Sequence, residues 1–204
     1  MDSIDALLVD AGTGNLHSVH NALMALGFRV QVTSDPDALS QRGRVILPGV
    51  GAFGSFMQGL RERGLEEPLR EAVRRGDPVL GICVGMQALF QWSEELGQNP
   101  GMCLLEGRVV RFPDFTDRKV PHTGWNQLWF GDDAPLFQGL KTGVYAYFNH
   151  SYYCASQPAD TAASTDYGID FASSVRRENL YGVQFHPEKS QRVGQAVLAN
   201  FFRV

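Results

Sequence analysis

The sequence has few cysteines, no strongly basic segment and no long apolar run. Its three cysteines, Cys83, Cys103 and Cys154, are an odd number and lie far apart, which argues against a disulfide framework and excludes a paired-cysteine metal motif. No basic run exceeds two residues, so a nucleic-acid groove is not indicated. No apolar run approaches the roughly 18 residues of a membrane span, and the N-terminus is acidic where a secretory signal is basic. These absences favour a cytoplasmic protein in which any reactive cysteine acts singly.

The composition is that of an ordinary globular chain. It has 204 residues, of which 44% are hydrophobic and 20% charged, with a formal net charge of −4. This length favours a single hydrophobic core. We therefore expect residues 1–204 to form one domain.

The first half of the chain alternates strand-like and helix-like patterns. Ala6–Val9 is a short apolar run, and Asn15 can cap a following helix whose apolar residues recur at helical spacing as far as Leu26. Strand-like segments recur at 28–32, 44–47 and 77–82, the last running directly into a helical pattern through Phe90. This alternation predicts an α/β fold of three layers, with helices on both faces of a mostly parallel sheet.

The second half lacks this alternation. Short strand-like runs follow one another with turn residues between them, at 107–112, 125–130, 144–148 and 180–185. We expect additional antiparallel strands here, which extend the sheet or cover its carboxyl end, before a last helix over 190–202.

The clearest local motif is Gly81-Ile82-Cys83-Val84-Gly85. It has the form Gly-x-nucleophile-x-Gly between a predicted strand and a predicted helix, which is the arrangement of a nucleophile elbow. Such a turn exposes the thiol at the carboxyl end of the sheet, and the following helix start favours the thiolate. The alternative is that Cys83 is a small buried apolar residue beside a glycine that serves packing.

A thiolate nucleophile needs a base, and His186 has the most suggestive context of the five histidines. Pro187 favours extended geometry at His186, in which residues two apart project to the same side, so Glu188 can face the imidazole and fix its tautomer. The alternative is a strand-end histidine beside a surface Glu-Lys pair. Two of the remaining histidines, His17 and His20, are predicted to be solvated on the first helix. The other two, His122 and His150, are predicted to lie in loops after strands and are possible bases.

A glycine-rich loop can supply donors to an oxyanion. Pro48-Gly49-Val50-Gly51 follows a predicted strand, and its glycines allow a backbone N–H to turn toward a neighbouring site. A second donor would be the backbone N–H of Val84, directly after the cysteine. A phosphate-binding loop is the competing interpretation, but the Walker lysine is absent here.

Together these motifs resemble the class I glutamine amidotransferases, and more narrowly the glutaminase subunits of imidazole glycerol phosphate synthases. The resemblance covers nearly the whole chain. It is carried by Gly12-Thr13-Gly14-Asn15-Leu16, Pro48-Gly49-Val50-Gly51-Ala52-Phe53-Gly54, Gly81-Ile82-Cys83-Val84-Gly85-Met86-Gln87, Pro121-His122-Thr123-Gly124-Trp125-Asn126, His150-Ser151-Tyr152-Tyr153 and Gln184-Phe185-His186-Pro187-Glu188-Lys189-Ser190. The chain departs from the family pattern at Ala11, Val84 and Asn149.

The resemblance implies hydrolysis of L-glutamine to glutamate and ammonia through a γ-glutamyl thioester. Cys83 would attack, His186 would transfer protons and Glu188 would orient His186. The implied oxyanion donors are Gly49, Val50, Gly51 and Val84. The implied glutamine-binding residues are Gln87, Glu95, Ser151 and Tyr152, although the sequence does not decide between Glu95 and the adjacent Glu94.

The resemblance also implies a partner, but no cofactor and no metal. Once the glutaminase residues are assigned, no comparable motif remains to bind a phosphorylated ammonia acceptor. The family passes ammonia to a (β/α)8-barrel synthase subunit that makes imidazole glycerol phosphate and aminoimidazole carboxamide ribotide, and Trp125, Tyr147 and Lys189 match positions at that interface. Two other functions stay open: a glutaminase of an anthranilate or pyridoxal phosphate synthase, and a non-catalytic domain with a redox-sensing Cys83.

Overall fold

The computed structural model describes residues 4–13, 15–41 and 43–204. Gly14 and residues 1–3, which belong to segments discussed above, lie outside the described residues. The helices are α1 Leu16–Ala25, α2 Phe53–Glu62, α3 Glu66–Arg74, α4 Val84–Gln87 and α5 Gln191–Phe201. The strands are β1 Ala6–Val9, β2 Val30–Thr33, β3 Arg44–Gly49, β4 Val79–Cys83, β5 Trp92–Ser93, β6 Asn99–Pro100, β7 Gly107–Arg111, β8 His122–Leu128, β9 Val144–His150, β10 Tyr152–Ser156, β11 Thr161–Asp166, β12 Asp170–Arg177 and β13 Leu180–Val183.

A seven-stranded sheet in the order β11-β12-β13-β4-β3-β1-β2 forms the centre of the fold. The five strands from β13 to β2 pair in parallel, and β12 and β11 add antiparallel strands at one side. All residues of β4 are buried, as expected for an apolar strand in the middle of a parallel sheet. The predicted α/β class, with a mostly parallel sheet and antiparallel strands later in the chain, is confirmed.

Three adjacent strands of this sheet end at the same edge. Gly49 at the end of β3 pairs with Cys83 at the end of β4, and Val183 at the end of β13 pairs with Ile82. The segments that follow these strands therefore meet where open α/β sheets carry their sites.

Two smaller sheets come from the second half of the chain. One has the strand order β10-β7-β5-β6, and the other is the antiparallel pair of β8 and β9. A single cluster of buried apolar side chains joins both halves and includes Phe56, Phe90, Phe148, Phe185 and Phe201. Within the described ranges, no helix is long and apolar enough to cross a membrane.

The structure corrects several predicted boundaries around the sheet edge. β3 does not stop before Pro48, because Pro48 and Gly49 continue the parallel pairing with β4. The helix after Cys83 ends at Gln87 instead of continuing through Phe90. Carbonyl groups of residues 88–90 accept hydrogen bonds from backbone N–H groups of residues 102–105, so these carbonyls bond to a neighbouring segment. Helix α2 was not anticipated from the sequence.

Two predictions about polar residues also differ from the structure. Asn15 directly precedes α1, but its side chain makes no capping hydrogen bond. His122 and His150 do not lie in loops, since His122 begins β8, His150 ends β9, and the two residues pair directly across the strands. Both imidazoles point into the buried side of this strand pair, where hydrogen bonding to each other replaces solvent.

Candidate active site

Cys83 lies at a sharp turn between β4 and α4. Its backbone has φ 55° and ψ −113°, a left-handed conformation that non-glycine residues rarely adopt. Strained backbone of this kind is concentrated at functional sites. The turn directs the residue out of the sheet, although Cys83 as a whole is only 4% exposed.

The two glycines of the motif are required by close backbone packing. A Cβ atom on Gly81 would lie 2.6 Å from the carbonyl oxygen of Gly85. A Cβ atom on Gly85 would lie 1.8 Å from the carbonyl oxygen of Leu47 on β3. The Gly-x-Cys-x-Gly spacing therefore lets α4 start directly against β3 and β4.

His186 and Glu188 lie beside the cysteine. His186 Nδ1 is 3.0 Å from Glu188 Oε1, and His186 lines the same cavity as Cys83. Burial acts to lower the pKa of His186, but the hydrogen bonds and negative charges of Cys83 and Glu188 outweigh it and raise the pKa to about 10. The arrangement therefore favours an imidazolium that faces the sulfur.

Hydrogen bonds hold the backbone of His186 at both its N–H and its carbonyl group. Its N–H donates to the Tyr147 carbonyl at 2.9 Å, and its carbonyl accepts from Ser190 Oγ at 2.6 Å. Ser190 Oγ also accepts from the Tyr147 N–H at 2.9 Å. Residues Pro187–Lys189 form a short 3-10 turn rather than extended chain, and this turn brings Glu188 to the imidazole.

A cavity of about 490 Å³ opens in front of the cysteine. Its lining includes ten of the predicted catalytic, oxyanion, substrate-binding and interface residues: Val50, Gly51, Cys83, Val84, Gln87, Glu95, Ser151, Tyr152, His186 and Lys189. The rest of the lining comes from Asn15, Pro121, Asn149 and His150. A space of this size is suited to a small-molecule ligand.

The other predicted residues lie around the cavity without lining it. Gly49 is a buried strand residue paired with Cys83, so the wall is formed by Val50 and Gly51, which follow it. Gly51 has φ 85°, a conformation that suits glycine. Glu188 is buried behind His186 and contacts its far ring nitrogen.

The structure distinguishes the two adjacent glutamates. Glu95 lines the cavity, and its Oε2 accepts a hydrogen bond from the Phe53 N–H at 2.7 Å, in the first turn of α2. Glu94 is exposed, and its Oε1 accepts from the Arg111 N–H at 2.7 Å. Only Glu95 is thus placed to meet a ligand in the cavity.

Gln184 is a buried neighbour of the cysteine that the sequence reasoning did not single out. Its Nε2 lies 3.7 Å from Cys83 Sγ, and its Oε1 accepts from Gln87 Nε2 at 3.0 Å. The available signal was the same alternation that linked His186 to Glu188, because Gln184 is two residues before His186 in strand-like chain. That alternation predicts that Gln184 and His186 face the same side of the strand, but it does not predict the contact with Cys83.

The predicted interface residues lie close together, with Trp125 and Tyr147 on the outer face of the β8–β9 pair and Lys189 in the 3-10 turn after His186. Trp125 and Tyr147 are directly opposite across the strands, with ring centroids 6.1 Å apart. Lys189 Nζ lies 5.8 Å from the Tyr147 ring centroid, within cation–π range. Trp125 is 46% exposed, so this face presents an aromatic surface next to the cavity.

The part of the chain that the structure describes contains no candidate metal site. No group of three or more His, Cys, Asp or Glu side chains there is arranged to hold an ion.

The chain belongs to the class-I glutamine amidotransferase family, which matches residues 7–204. Within that family it groups with the subunits named imidazole glycerol phosphate synthase subunit HisH. The relative from Symbiobacterium thermophilum is 51% identical, over 97% of this chain and 93% of the relative. The relative from Acinetobacter baylyi is 45% identical, over 95% of each chain.

Solved structures share the fold at lower sequence identity. A crystal structure of a glutamine amidotransferase superposes with a TM-score of 0.75 at 22% identity, and covers 97% of both chains. The structure of PurLQS from Thermotoga maritima gives a TM-score of 0.75 at 18% identity, over 99% of both chains. These likenesses extend across the whole chain and identify the α/β/α amidotransferase fold predicted from the sequence.

Proposed function

We propose that the chain is a glutaminase subunit that hydrolyses L-glutamine to glutamate and ammonia on Cys83. The observation that carries this proposal is the Cys83–His186–Glu188 arrangement at the wall of the cavity. A cysteine on an elbow, beside an imidazole that a carboxylate orients, is the arrangement that nucleophilic catalysis requires.

The proposed reaction has two stages. The Cys83 sulfur attacks the γ-carboxamide carbon, and the proton carried by His186 goes to the nitrogen that leaves as ammonia. Water then attacks the γ-glutamyl thioester, the C–S bond breaks with its electron pair on sulfur, and His186 receives the proton from water. Glu188 keeps the imidazole in one orientation throughout.

Backbone N–H groups are proposed to stabilise the oxyanion in both stages. Val84 follows the nucleophile at the start of α4, and Val50 and Gly51 directly follow β3 and line the same cavity. Gly49 contributes by placing this loop through its pairing with Cys83. Donors fixed near the developing charge are worth more than donors in water.

The proposed glutamine contacts use the polar groups of the opposite wall. Glu95 would face the α-ammonium with the carboxylate oxygen that Phe53 does not occupy. Gln87 donates from Nε2 to the Tyr152 carbonyl and to Gln184, so it offers a ligand its acceptor oxygen. Ser151 and Tyr152 complete the binding set.

We propose further that ammonia passes to a (β/α)8-barrel synthase subunit, which makes imidazole glycerol phosphate and aminoimidazole carboxamide ribotide. The relatives named as HisH subunits support this partner, since their names place them in an assembly. The exposed Trp125–Tyr147 pair with Lys189 beside the cavity supports the docking face.

The same proposal treats residues 1–204 as one glutaminase domain, located in the cytoplasm. A single buried apolar cluster spans both halves of the chain, which supports one domain. The three cysteines are unpaired thiols, which suits a reducing compartment.

Replacement of the nucleophile tests the function directly. In the complex with the barrel subunit, Cys83→Ala should abolish glutamine-dependent turnover and leave turnover with added ammonium intact. Cys103→Ala, which removes an exposed thiol away from the cavity, is the matched control. Loss of both activities by Cys83→Ala in an intact complex would contradict the assignment.

A glutamine-analogue electrophile separates this function from the redox-sensing alternative. Intact-mass measurement should show one stoichiometric adduct that Cys83→Ala removes. A sensor without glutamine chemistry would show none. Co-purification with a barrel subunit of the histidine pathway would separate the proposed synthase from an anthranilate or pyridoxal phosphate synthase.

A further inference from the structure

The side chain of Gln184 reaches the reacting sulfur from inside the protein. Gln184 is fully buried, and its Nε2 lies 3.7 Å from Cys83 Sγ, a distance suited to an N–H···S hydrogen bond. Sulfur therefore has a second polar neighbour in addition to His186. What this contact does depends on which end of the amide faces the sulfur.

The orientation of the amide is fixed by a carbonyl that can only accept. The Tyr152 carbonyl lies 3.1 Å from Gln87 Nε2, so the amide nitrogen of Gln87 must face it. The same nitrogen lies 3.0 Å from Gln184 Oε1 and donates its other N–H there. A reversed Gln184 would place two NH₂ groups against each other and turn its carbonyl oxygen toward the sulfur.

A second donor set holds the Tyr152 carbonyl from the other side. His150 Nδ1 donates to it at 2.8 Å, which leaves His150 Nε2 as an acceptor for His122 Nδ1 at 3.0 Å. His122 Nε2 then accepts from Asn126 Nδ2 at 3.3 Å. Burial lowers the pKa of His122 to about 4 and that of His150 to about 3, so both rings are neutral and keep these roles.

We propose that Gln184 is a catalytic hydrogen-bond donor to the Cys83 sulfur. This inference rests on the proposed glutaminase function. The sulfur is negative before it attacks glutamine, loses that charge in the thioester, and regains it when the C–S bond breaks. The Gln184 N–H stabilises the sulfur in its two charged states, and thus assists departure of the thiolate during thioester hydrolysis.

Alkylation of Cys83 measures this contact without reference to turnover. The full-length chain is treated with iodoacetamide across a pH series, and peptide mass analysis follows modification of Cys83 separately from the other cysteines. Gln184→Met removes the donor at similar side-chain length. The midpoint of the pH profile should move upward by roughly one pH unit, which is the scale of a weak hydrogen bond to a charged group.

Two further variants make the comparison specific. Gln184→Glu keeps the acceptor that faces Gln87 but replaces the donor with an acceptor, so its profile should move upward at least as far. Ser173→Ala is the control, because the Ser173 carbonyl accepts from the Gln184 N–H and its buried Oγ has no hydrogen-bond partner among the residues that the structure describes. It should keep the wild-type profile. His186, Glu188 and Cys154, the titratable groups near the sulfur, are unchanged in all of these variants.

Turnover provides the second measurement. In the complex with the barrel subunit, Gln184→Met should lower kcat for glutamine about tenfold through the lost contact to the sulfur. Gln184→Glu keeps the acceptor that holds Gln87, so comparison of the two variants separates this effect from any change in KM that Gln87 transmits. A purely structural role would lower stability and leave the alkylation profile in place.

A measurement on the unsubstituted Gln184 covers the case in which its variants do not fold. In a chain labelled with ¹⁵N-glutamine, Cys83→Ser should shift the side-chain NH₂ resonances of Gln184. Unchanged resonances, or an unchanged alkylation profile in folded Gln184→Met and Gln184→Glu, would overturn the proposal. Retention of glutaminase activity by Cys83→Ala would instead overturn the proposed function, while the alkylation shift would still report the contact.

Discussion

A methyl group at Gly85 should damage both the fold and the reaction, and its effect can be worked out from the packing. The Cβ atom would lie 1.8 Å from the Leu47 carbonyl oxygen, whereas carbon and oxygen pack at about 3.3 Å. The start of α4 would therefore have to move from β3 by roughly 1.5 Å. Because the obstacle is backbone on a central strand, no side-chain rotation relieves it.

This displacement has two expected consequences. Overpacking in a buried position costs about 1–3 kcal/mol, and we expect Gly85→Ala to lose about 3 kcal/mol because β3 is held on both sides. A misplacement of about 1 Å in a catalytic geometry lowers the rate about 100-fold. We expect a loss of that order in kcat, since α4 begins directly after Cys83.

Urea denaturation and glutamine turnover in the complex measure the two effects. Gly131→Ala is the matched control, because a Cβ atom there meets nothing within 4 Å and the residue is outside the left-handed region. It should match the wild type in both assays. If Gly85→Ala kept the wild-type unfolding midpoint and kcat, the steric explanation of the Gly-x-Cys-x-Gly spacing would be wrong.

Three further predictions concern substrate, pH and partner. Glu95→Gln should raise KM for glutamine about tenfold with little change in kcat, because the amide keeps an acceptor for the Phe53 N–H but loses the charge opposite the α-ammonium. Glu94→Gln is the control and should leave both constants unchanged. Equal effects of the two variants in steady-state kinetics would contradict the assignment. Burial lowers the pKa of His122 to about 4, so its contribution to stability is complete above about pH 6.5 and is lost as the pH falls through about 4. Between about pH 7 and 4.5 the free energy of unfolding in urea should fall roughly 2–3 kcal/mol more in the wild type than in His122→Gln, and parallel curves would refute this. Trp125→Ala should weaken binding of the barrel subunit by about 2 kcal/mol in calorimetric titration, while Val32→Ala, an exposed residue on the edge strand β2, should not.

Local steric rules made the elbow predictable from sequence. The spacing of Gly81, Cys83 and Gly85 reflects contacts within one strand-turn-helix unit, so the pattern contains most of the information needed. The contact between His186 and Glu188 was also anticipated, although a 3-10 turn and not an extended chain produces it. Neighbouring residues in the chain determine both features.

Features that depend on distant segments were not predictable in the same way. The choice between Glu94 and Glu95 depends on the position of Phe53, about forty residues earlier. The helical pattern through Phe90 was overridden by hydrogen bonds from residues 102–105. These outcomes depend on tertiary pairing, which periodicity alone does not report.

The two histidines on the strand pair show a third kind of limit. His122 and His150 are polar residues at strand ends, and polar residues between apolar runs favour an interpretation as loops. Their pairing supplies each ring with a partner, so both can be buried. A hydrogen bond between two buried histidines of this kind can be predicted only once the strand register is known.

The strand pair β8 and β9 has a consequence for insertions and deletions. Alternate residues point to opposite sides, so the strand that presents Trp125 outward also holds His122 and Asn126 on the side of the hydrogen-bond chain that leads toward Cys83. Deleting one residue in the middle of β8 would reverse the facing of every residue beyond it. Aromatic rings would be driven inward and polar groups outward in a single step. The register of β8 thus determines which side chains lie on each of two surfaces. Insertions and deletions in this strand should therefore be tolerated far less than substitutions on either surface.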